Sequence, residues 1–161
     1  MPKLQTAKQK IQYRIKKSKD TVFIPKDFKN IASYSQVFRG LQELIKENLL
    51  VKVGQGLYVK CERSDLAGYN IPVKDMRTIA QSALRKLGVK VCLTPEEKAY
   101  NEYRSTQVPN GFIIGVKKKN IIRKIGFNKT QIRYQFVPDN VNDALYSDNE
   151  ESPFVFEKKK Q

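Results

Sequence analysis

Polar side chains with complementary hydrogen-bonding chemistry recur along residues 33–48. At about 100° per residue, a helix over this segment carries four of them on one side, which are Gln36, Arg39, Glu43 and Lys46. In the major groove of DNA, an arginine can pair with guanine, a glutamine with adenine, and a glutamate can accept from cytosine. The spacing therefore predicts a base-reading face. A solvated helix face would show the same residues, and the sequence leaves both interpretations open.

Residues around this segment add groups that could bind a phosphate backbone. Tyr34 and Ser35 lie at the predicted helix start, where they could contact phosphates. Lys52, Gln55 and Lys60 belong to a predicted hairpin that follows. We expect that hairpin to lie on the backbone or to enter the minor groove. Together with the helix face, these residues form the predicted DNA-binding set.

The elements that must position these residues can be read from the apolar spacing. Residues 4–17 are predicted to form an amphipathic helix, and Pro25 opens a second, short helix to about residue 30. Ser33 and Gln36 match a capping box for a helix to about Glu47, and Asn48 can take the left-handed conformation that ends it. Two β-rich runs around Gly54-Gln55-Gly56 predict a hairpin over residues 49–60. This order is that of a winged helix-turn-helix.

A second module follows a predicted connector at residues 61–74. We expect a helix over 75–87 that ends at Gly88, and strands over the four ranges 90–93, 112–116, 120–125 and 131–137. The predicted fold class is α+β, with residues 1–62 as the winged helix-turn-helix and residues 71–137 as a small α+β domain with a mostly antiparallel sheet. Residues 138–161 are predicted to be an acidic, flexible tail.

The charge distribution indicates a polyanionic partner. The net charge is +15, with +8 on residues 1–62, +10 on residues 71–137 and −3 on residues 138–161. The second module holds a possible second basic site, whose members are Arg104, Lys117, Lys118, Lys119, Arg123, Lys124, Lys129 and Arg133. A solvated hairpin loop, a phosphate site and a site for an acidic protein all fit this cluster.

The residue types argue against catalysis. The chain has no histidine, and its two cysteines, Cys61 and Cys92, are thirty-one positions apart, so neither a histidine-based triad nor a CxxC metal site can form. The run Arg104-Ser105-Thr106-Gln107 has no evident general base. The glutamates Glu96, Glu97 and Glu102 fit the surface of a helix after Thr94-Pro95 better. We expect no enzyme, cofactor or metal.

No segment has the apolar length of a membrane span or of a signal peptide, and we therefore expect a cytoplasmic protein without membrane contact.

Two motifs resemble those of AbiEi-type antitoxins. The first is the run Val37-Phe38-Arg39-Gly40-Leu41-Gln42-Glu43-Leu44 followed by Leu50-Val51-Lys52-Val53-Gly54-Gln55-Gly56-Leu57-Tyr58. The second is Ser105-Thr106-Gln107-Val108-Pro109, with basic strands after it. The resemblance covers roughly residues 8–137. It implies a transcriptional autorepressor and antitoxin of a type IV toxin–antitoxin (abortive infection) system, active in phage defence.

The resemblance also implies partners. These are promoter DNA with an inverted repeat that binds two copies, and a cognate nucleotidyltransferase toxin. Residues 33–60 would read the operator, and the basic 104–133 region would support neutralisation of the toxin and extra DNA contacts. The short second module and its acidic tail depart from the family pattern. The alternative is a protein-interaction module that inhibits an acidic partner enzyme by direct docking.

Overall fold

The fold is α+β, and the computed structural model describes residues 6–139. The first helix, α1 (Ala7–Lys17), begins at a capping box. The Thr6 side chain accepts a hydrogen bond from the Gln9 backbone, and the Gln9 side chain accepts one from the Thr6 backbone. Its buried positions are Ile11 and Ile15, as the spacing predicted. Of the predicted 4–17 helix, residues 4 and 5 lie outside the described part of the chain. The predicted tail falls almost wholly outside it too.

The next elements lead to the helix that carries the predicted reading face. Strand β1 (Val22–Phe23) precedes a 3-10 helix (Pro25–Phe28) that is shorter than predicted, and α2 (Tyr34–Lys46) follows. Ser33 caps α2 through the predicted capping box with Gln36. After the helix, Asn48 has φ 62°, the left-handed conformation expected of it. The helix position and both of its ends are therefore confirmed.

Three strands follow α2, namely β2 (Leu50–Gly54), β3 (Leu57–Ser64) and β4 (Tyr69–Pro72). The long strand β3 pairs antiparallel with β1, β2 and β4, so the predicted hairpin is confirmed. The predicted connector at 61–74 is wrong, because β3 continues to Ser64 and β4 pairs back on it. Few side chains of this second hairpin are buried, so apolar alternation gave no signal there.

The second half begins with α3 (Met76–Lys86), which Asp75 caps and after which Gly88 turns the chain at φ 81°. The later elements are β5 (Val91–Cys92), α4 (Pro95–Asn101), β6 (Ile113–Val116), β7 (Gly126–Phe127), β8 (Thr130–Gln131) and β9 (Arg133–Phe136). Strand β6 pairs antiparallel with β5 and parallel with β9, while β7 and β8 form an antiparallel hairpin. The β6–β9 pair is therefore an exception to the predicted antiparallel pairing.

The predicted strand at 120–125 is wrong. The chain there is irregular, starting from Asn120 at φ 57°, and it pairs with no strand. Its apolar residues have a packing role instead, because Ile125 is fully buried and Ile121 packs against the same core. The short hairpin of β7 and β8 follows directly, and it was not predicted.

Two hydrophobic cores hold the chain together. One joins α1, α2 and β1 around Phe28, Leu41 and Tyr58. The other contains Val22 and Val59 from the first half with Ile79 and other residues from the second. Because this second core crosses the predicted boundary at 62–71, the hairpin of β2 and β3 is packed directly against the second half. The division into domains stays a prediction.

A buried ion pair fixes α3 against α4. Arg77 pairs with Glu97 and also donates to the carbonyl oxygens of Gly111 and Ile113, at 3.0 and 2.9 Å. Glu97 is 1% exposed, so its prediction as a helix-surface charge is wrong. Burial raises the pKa of Glu97, although contacts from Thr94 and Arg77 oppose the shift. The helix N-terminus predicted at Thr94-Pro95 is confirmed.

Candidate functional site

The outward face of α2 carries unpaired cations. Arg39 and Lys46 are exposed, and neither forms an ion pair within the described residues. Ser35 and Glu43 are exposed as well. Four members of the predicted DNA-binding set on α2 are therefore accessible to a partner. A guanidinium that has no internal partner can approach an external acceptor without first breaking a contact.

Gln36 lies to one side of this face and is already engaged. Its Oε1 accepts a hydrogen bond from the Ser33 backbone at 3.3 Å, as part of the cap that starts α2. A contact between that oxygen and an adenine would compete with the helix cap. The Gln36 amide nitrogen is not used in this cap. Base reading by Gln36 stays a prediction, and it is weaker than for Arg39.

The buried side of α2 shows why the predicted base-reading face is rotated relative to the side of the helix that is exposed. Gly40 is buried along with the apolar stripe, and a Cβ there would lie 3.1 Å from Ile11 Cδ1 of α1. Counting Gly40 as buried turns the centre of the outward side away from Gln36 and towards Ser35 and Gln42. Gly40 was not part of the apolar stripe predicted from the sequence. A glycine in line with an apolar stripe was the available signal.

Two aromatic side chains on the other flank of α2 are exposed. Tyr34 is 72% exposed and Phe38 is 44% exposed. They are four positions apart, so they lie one turn above the other. From the sequence, Tyr34 was predicted to contact phosphate and Phe38 was given no role of its own. The exposure of Phe38 was missed, because a phenylalanine next to a stripe is usually counted with the core.

These two rings form one wall of a cleft of about 640 Å³. The other walls are the turn between β2 and β3 and the hairpin of β7 and β8, and the polar lining residues include Lys52, Gln55 and Lys124. No carboxylate lines the cleft in the described part of the chain. Tyr34, Lys52 and Gln55 of the predicted DNA-binding set therefore lie around one basic cleft. The predicted base-reading residues of α2 are not among its lining residues.

The turn between β2 and β3 is fixed by the second half of the chain. Arg123 donates to the Gln55 carbonyl oxygen at 2.6 Å, and Tyr134 donates to the Arg123 carbonyl oxygen at 2.8 Å. A Cβ on Gly54 would lie 2.6 Å from the Lys124 carbonyl oxygen, so only glycine allows this approach. Arg123 and Lys124 were predicted to belong to a second basic site. They lie instead beside the cleft between α2 and the turn of β2 and β3.

Lys60 has a structural contact instead of a free position. Its Nζ donates to the Ser18 carbonyl oxygen at 2.7 Å and lies 5.9 Å from the centre of the Phe23 ring. Lys52, by contrast, is exposed and lines the cleft. Of the two hairpin lysines predicted to contact DNA, only Lys52 lies in the cleft with α2.

The remaining members of the predicted second basic site are not gathered in one place. Arg104 forms an ion pair with Glu102, at 2.7 Å between Nη2 and Oε2. Lys117 lies 3.3 Å from Asp139, and Lys119 lies over the Phe136 ring. Lys118, Lys129 and Arg133 are exposed. The structure therefore divides this cluster between the cleft and separate surface positions.

A separate basic groove of about 540 Å³ lies beside α1. It is lined by Lys10, Tyr13, Arg14, Lys17, Ser18, Asn30 and Ile31. Arg14 also donates to the Asp27 carbonyl oxygen at 3.0 Å. The groove was not singled out from the sequence, where its lysines appeared only as the polar face of the first helix.

The residues considered for catalysis have other contacts. The Ser105 hydroxyl accepts from the Gln107 backbone at 3.2 Å, which is a local turn contact. Within residues 6–139, neither Cys61 nor Cys92 is part of a disulfide, and burial raises the pKa of the Cys61 thiol. Within residues 6–139, no three histidine, cysteine, aspartate or glutamate side chains are grouped as metal ligands would be. Among those same residues, every helix is too short or too polar to span a bilayer.

Comparison with known proteins gives one match. A family model described as "Family of unknown function (DUF6088)" matches residues 9–148. No curated protein and no solved structure matches the chain. The matched range includes α1 from Gln9 onwards, α2, the hairpin of β2 and β3 and the whole described second half, so both sides of the cleft lie within it.

Proposed function

The chain belongs to the DUF6088 family of unknown function, and we propose that it binds double-stranded DNA through α2 and the turn between β2 and β3. The observation that carries the proposal is the exposed, unpaired Arg39 on a helix that borders a cleft lined by Lys52 and Lys124. Winged helix-turn-helix proteins use these two elements to contact DNA, with the second helix of the motif in the major groove.

The order of the elements supports this proposal. Helix α1, strand β1, the 3-10 helix, α2 and the β2–β3 hairpin follow one another as in a winged helix-turn-helix. One face of α2 is buried on α1 and the core, and the opposite face is polar. The major groove is about 12 Å wide and admits one such helix. The fixed turn would then lie over the adjacent backbone as a wing.

Electrostatics support the same partner. Four exposed cations lie on or beside the proposed surface, and these are Arg39, Lys46, Lys52 and Lys124. The exposed acidic residue of α2 itself is Glu43. Each phosphate that a cation neutralises releases a counterion and lowers the affinity measured at higher salt. With these four cations in contact, the slope of log affinity against log salt would be about −3.6.

We further propose that the DNA is the promoter of the chain's own operon. The resemblance of two motifs to AbiEi-type antitoxins supports a repressor and antitoxin that binds an inverted repeat in two copies. A neighbouring gene for a nucleotidyltransferase would supply the toxin. Co-expression of that gene with this chain tests the antitoxin part, since growth should be restored by the intact chain and not by an unrelated DNA-binding protein.

The α1 groove favours a second candidate function, which is docking on an acidic protein. It collects Lys10, Arg14 and Lys17 away from the residues that line the cleft. An acidic partner enzyme could bind there without using α2. Charge reversal at Lys10 and Lys17 would then abolish a complex with a purified partner and leave DNA binding by α2 in place.

Nuclease protection on the DNA just upstream of the coding sequence tests the proposal. The protein should protect two related half-sites at about one helical turn, or a multiple of it, from each other. A scrambled fragment of equal length and composition is the control. Equal, salt-labile binding to both fragments with no protected site would contradict sequence-specific recognition.

A further inference from the structure

We infer that Phe38, with Tyr34 beside it, contacts thymine methyl groups in the major groove, so that the recognised DNA carries thymine opposite this flank of α2. The inference rests on the proposed DNA-binding function and adds a specificity-determining contact to it. None of the polar residues proposed from the sequence would provide such a contact.

The exposure of the two rings is the first observation. Phe38 is 44% exposed and Tyr34 is 72% exposed, whereas Val37, Leu41 and Leu44 on the same helix are at most 1% exposed. The apolar stripe of α2 is therefore complete without Phe38. An aromatic ring that the core does not need, on a helix with a free arginine, is available to a partner.

The position of the rings along α2 is the second observation. Tyr34 is the first residue of α2 and Phe38 is one turn later. In helix-turn-helix proteins, the N-terminal residues of the recognition helix make the contacts with base edges. Arg39 lies about 100° from Phe38 around the helix, so the guanidinium would meet base edges from the outward face while the ring meets them from its flank.

The residues that line the cleft indicate the chemistry of the group that would bind there. The two rings share the lining of the cleft with Lys52 and Lys124, and no carboxylate is among the lining residues in the described part of the chain. The occupant must therefore present apolar groups between negative charges. In the major groove, the C5 methyl of thymine is the apolar group, and it lies between two phosphate backbones.

Removing the methyl groups from the DNA tests this contact without changing the protein. The upstream fragment is prepared once with thymidine and once with deoxyuridine throughout, and binding is measured by fluorescence anisotropy. Wild-type protein should bind the deoxyuridine fragment about three- to fourfold more weakly for each methyl contacted. Phe38→Ala should bind the thymidine fragment more weakly than wild type and should lose most of the difference between the two fragments.

A matched variant controls for loss of an exposed ring. Phe112 is 49% exposed and does not line the cleft. Phe112→Ala should keep the full difference between the thymidine and deoxyuridine fragments. Phe38→Leu keeps an apolar side chain on a folded helix, and it should retain part of the difference. Circular dichroism of each variant confirms that α2 is intact.

The outcomes separate this inference from the proposed function. If wild-type protein prefers the upstream fragment to a scrambled one but binds its deoxyuridine form equally well, the methyl contact is wrong and DNA recognition stands. The same conclusion follows if Phe38→Ala keeps the wild-type difference. If wild type does not discriminate the upstream fragment from the scrambled one, both the inference and the proposed function fail. An apolar, acidic protein partner would give this last result.

Discussion

Replacing Arg77 by methionine removes the cation that faces Glu97 in the interior of the second half. Methionine keeps an unbranched side chain of similar reach, so the change is mainly one of charge and hydrogen bonding. Arg77 is 7% exposed and Glu97 is 1% exposed. The variant leaves a buried carboxylate without its partner, and the carbonyl oxygens of Gly111 and Ile113 lose their donor.

The expected cost follows from this burial. Breaking a buried ion pair by removal of one partner destabilises a protein by about 3–5 kcal/mol. Domains of this size have a free energy of unfolding of about 5–15 kcal/mol, so the loss is a large fraction. In urea, the unfolding midpoint of Arg77→Met should fall by roughly 1–3 M.

The stability difference between Arg77→Met and wild type should depend on pH in a definite direction. Burial already raises the pKa of Glu97 above its ordinary value of 4.5, and loss of Arg77 should raise it further. A group whose pKa is raised on folding contributes stability below its unfolded pKa and loses that contribution as the pH rises. The deficit of Arg77→Met against wild type should therefore be largest near pH 7 and should narrow as the pH falls towards 4.5.

Two further variants make this experiment decisive. Arg85→Met, on the exposed side of the same helix, should change stability by no more than about 0.5 kcal/mol. Adding Glu97→Gln to Arg77→Met removes the unpaired charge and should recover part of the loss. A deficit below about 1 kcal/mol for Arg77→Met, independent of pH, would refute the reasoning from burial.

Three other perturbations have expected results. Gly54→Ala places a Cβ 2.6 Å from the Lys124 carbonyl oxygen, so it should cost about 1–3 kcal/mol, and an unchanged melting temperature would exclude the close contact. Asp75→Ala removes the cap on Thr78 and should cost about 1 kcal/mol at pH 7. Burial opposes a lowered pKa for Asp75, but hydrogen bonds from Thr78 hold this pKa below 3.8. The destabilisation by Asp75→Ala should therefore shrink as the pH falls below that value. A destabilisation that is independent of pH in urea unfolding would contradict this prediction. Lys52→Ala should weaken binding to all DNA sequences alike and reduce the salt slope by about 0.9, as measured by anisotropy.

The first half of the chain could be predicted well because its signals are local. Ser33 with Gln36, and Asn48 after the helix, fixed both ends of α2 from the sequence alone. The glycine turn after β2 gave the hairpin. These signals depend on neighbours within four residues, which a sequence shows directly.

The predictions that were wrong concern contacts between residues that are far apart in the sequence. The sequence could not show that Glu97 meets Arg77, so a buried acid was taken for a surface one. Residues 120–125 have the apolar content of a strand, but Ile125 is used in the core instead. Lys60 contacts Ser18 over a separation of forty-two residues.

The candidate site shows the same division. The exposed Arg39 and Lys52 were found from their spacing. The exposure of Phe38 and the approach of Lys124 to the cleft depend on how the second half packs against the hairpin. No pattern within either half contains that information.

The central claim is tested most directly by the affinity of Arg39→Ala for the upstream DNA, measured beside wild type on the upstream and scrambled fragments at one fixed salt concentration. The variant should bind the upstream fragment more weakly by about 1–3 kcal/mol, and it should bind the scrambled fragment nearly as wild type does. Wild-type affinity and wild-type discrimination in Arg39→Ala would contradict the account of α2 as the DNA-reading helix.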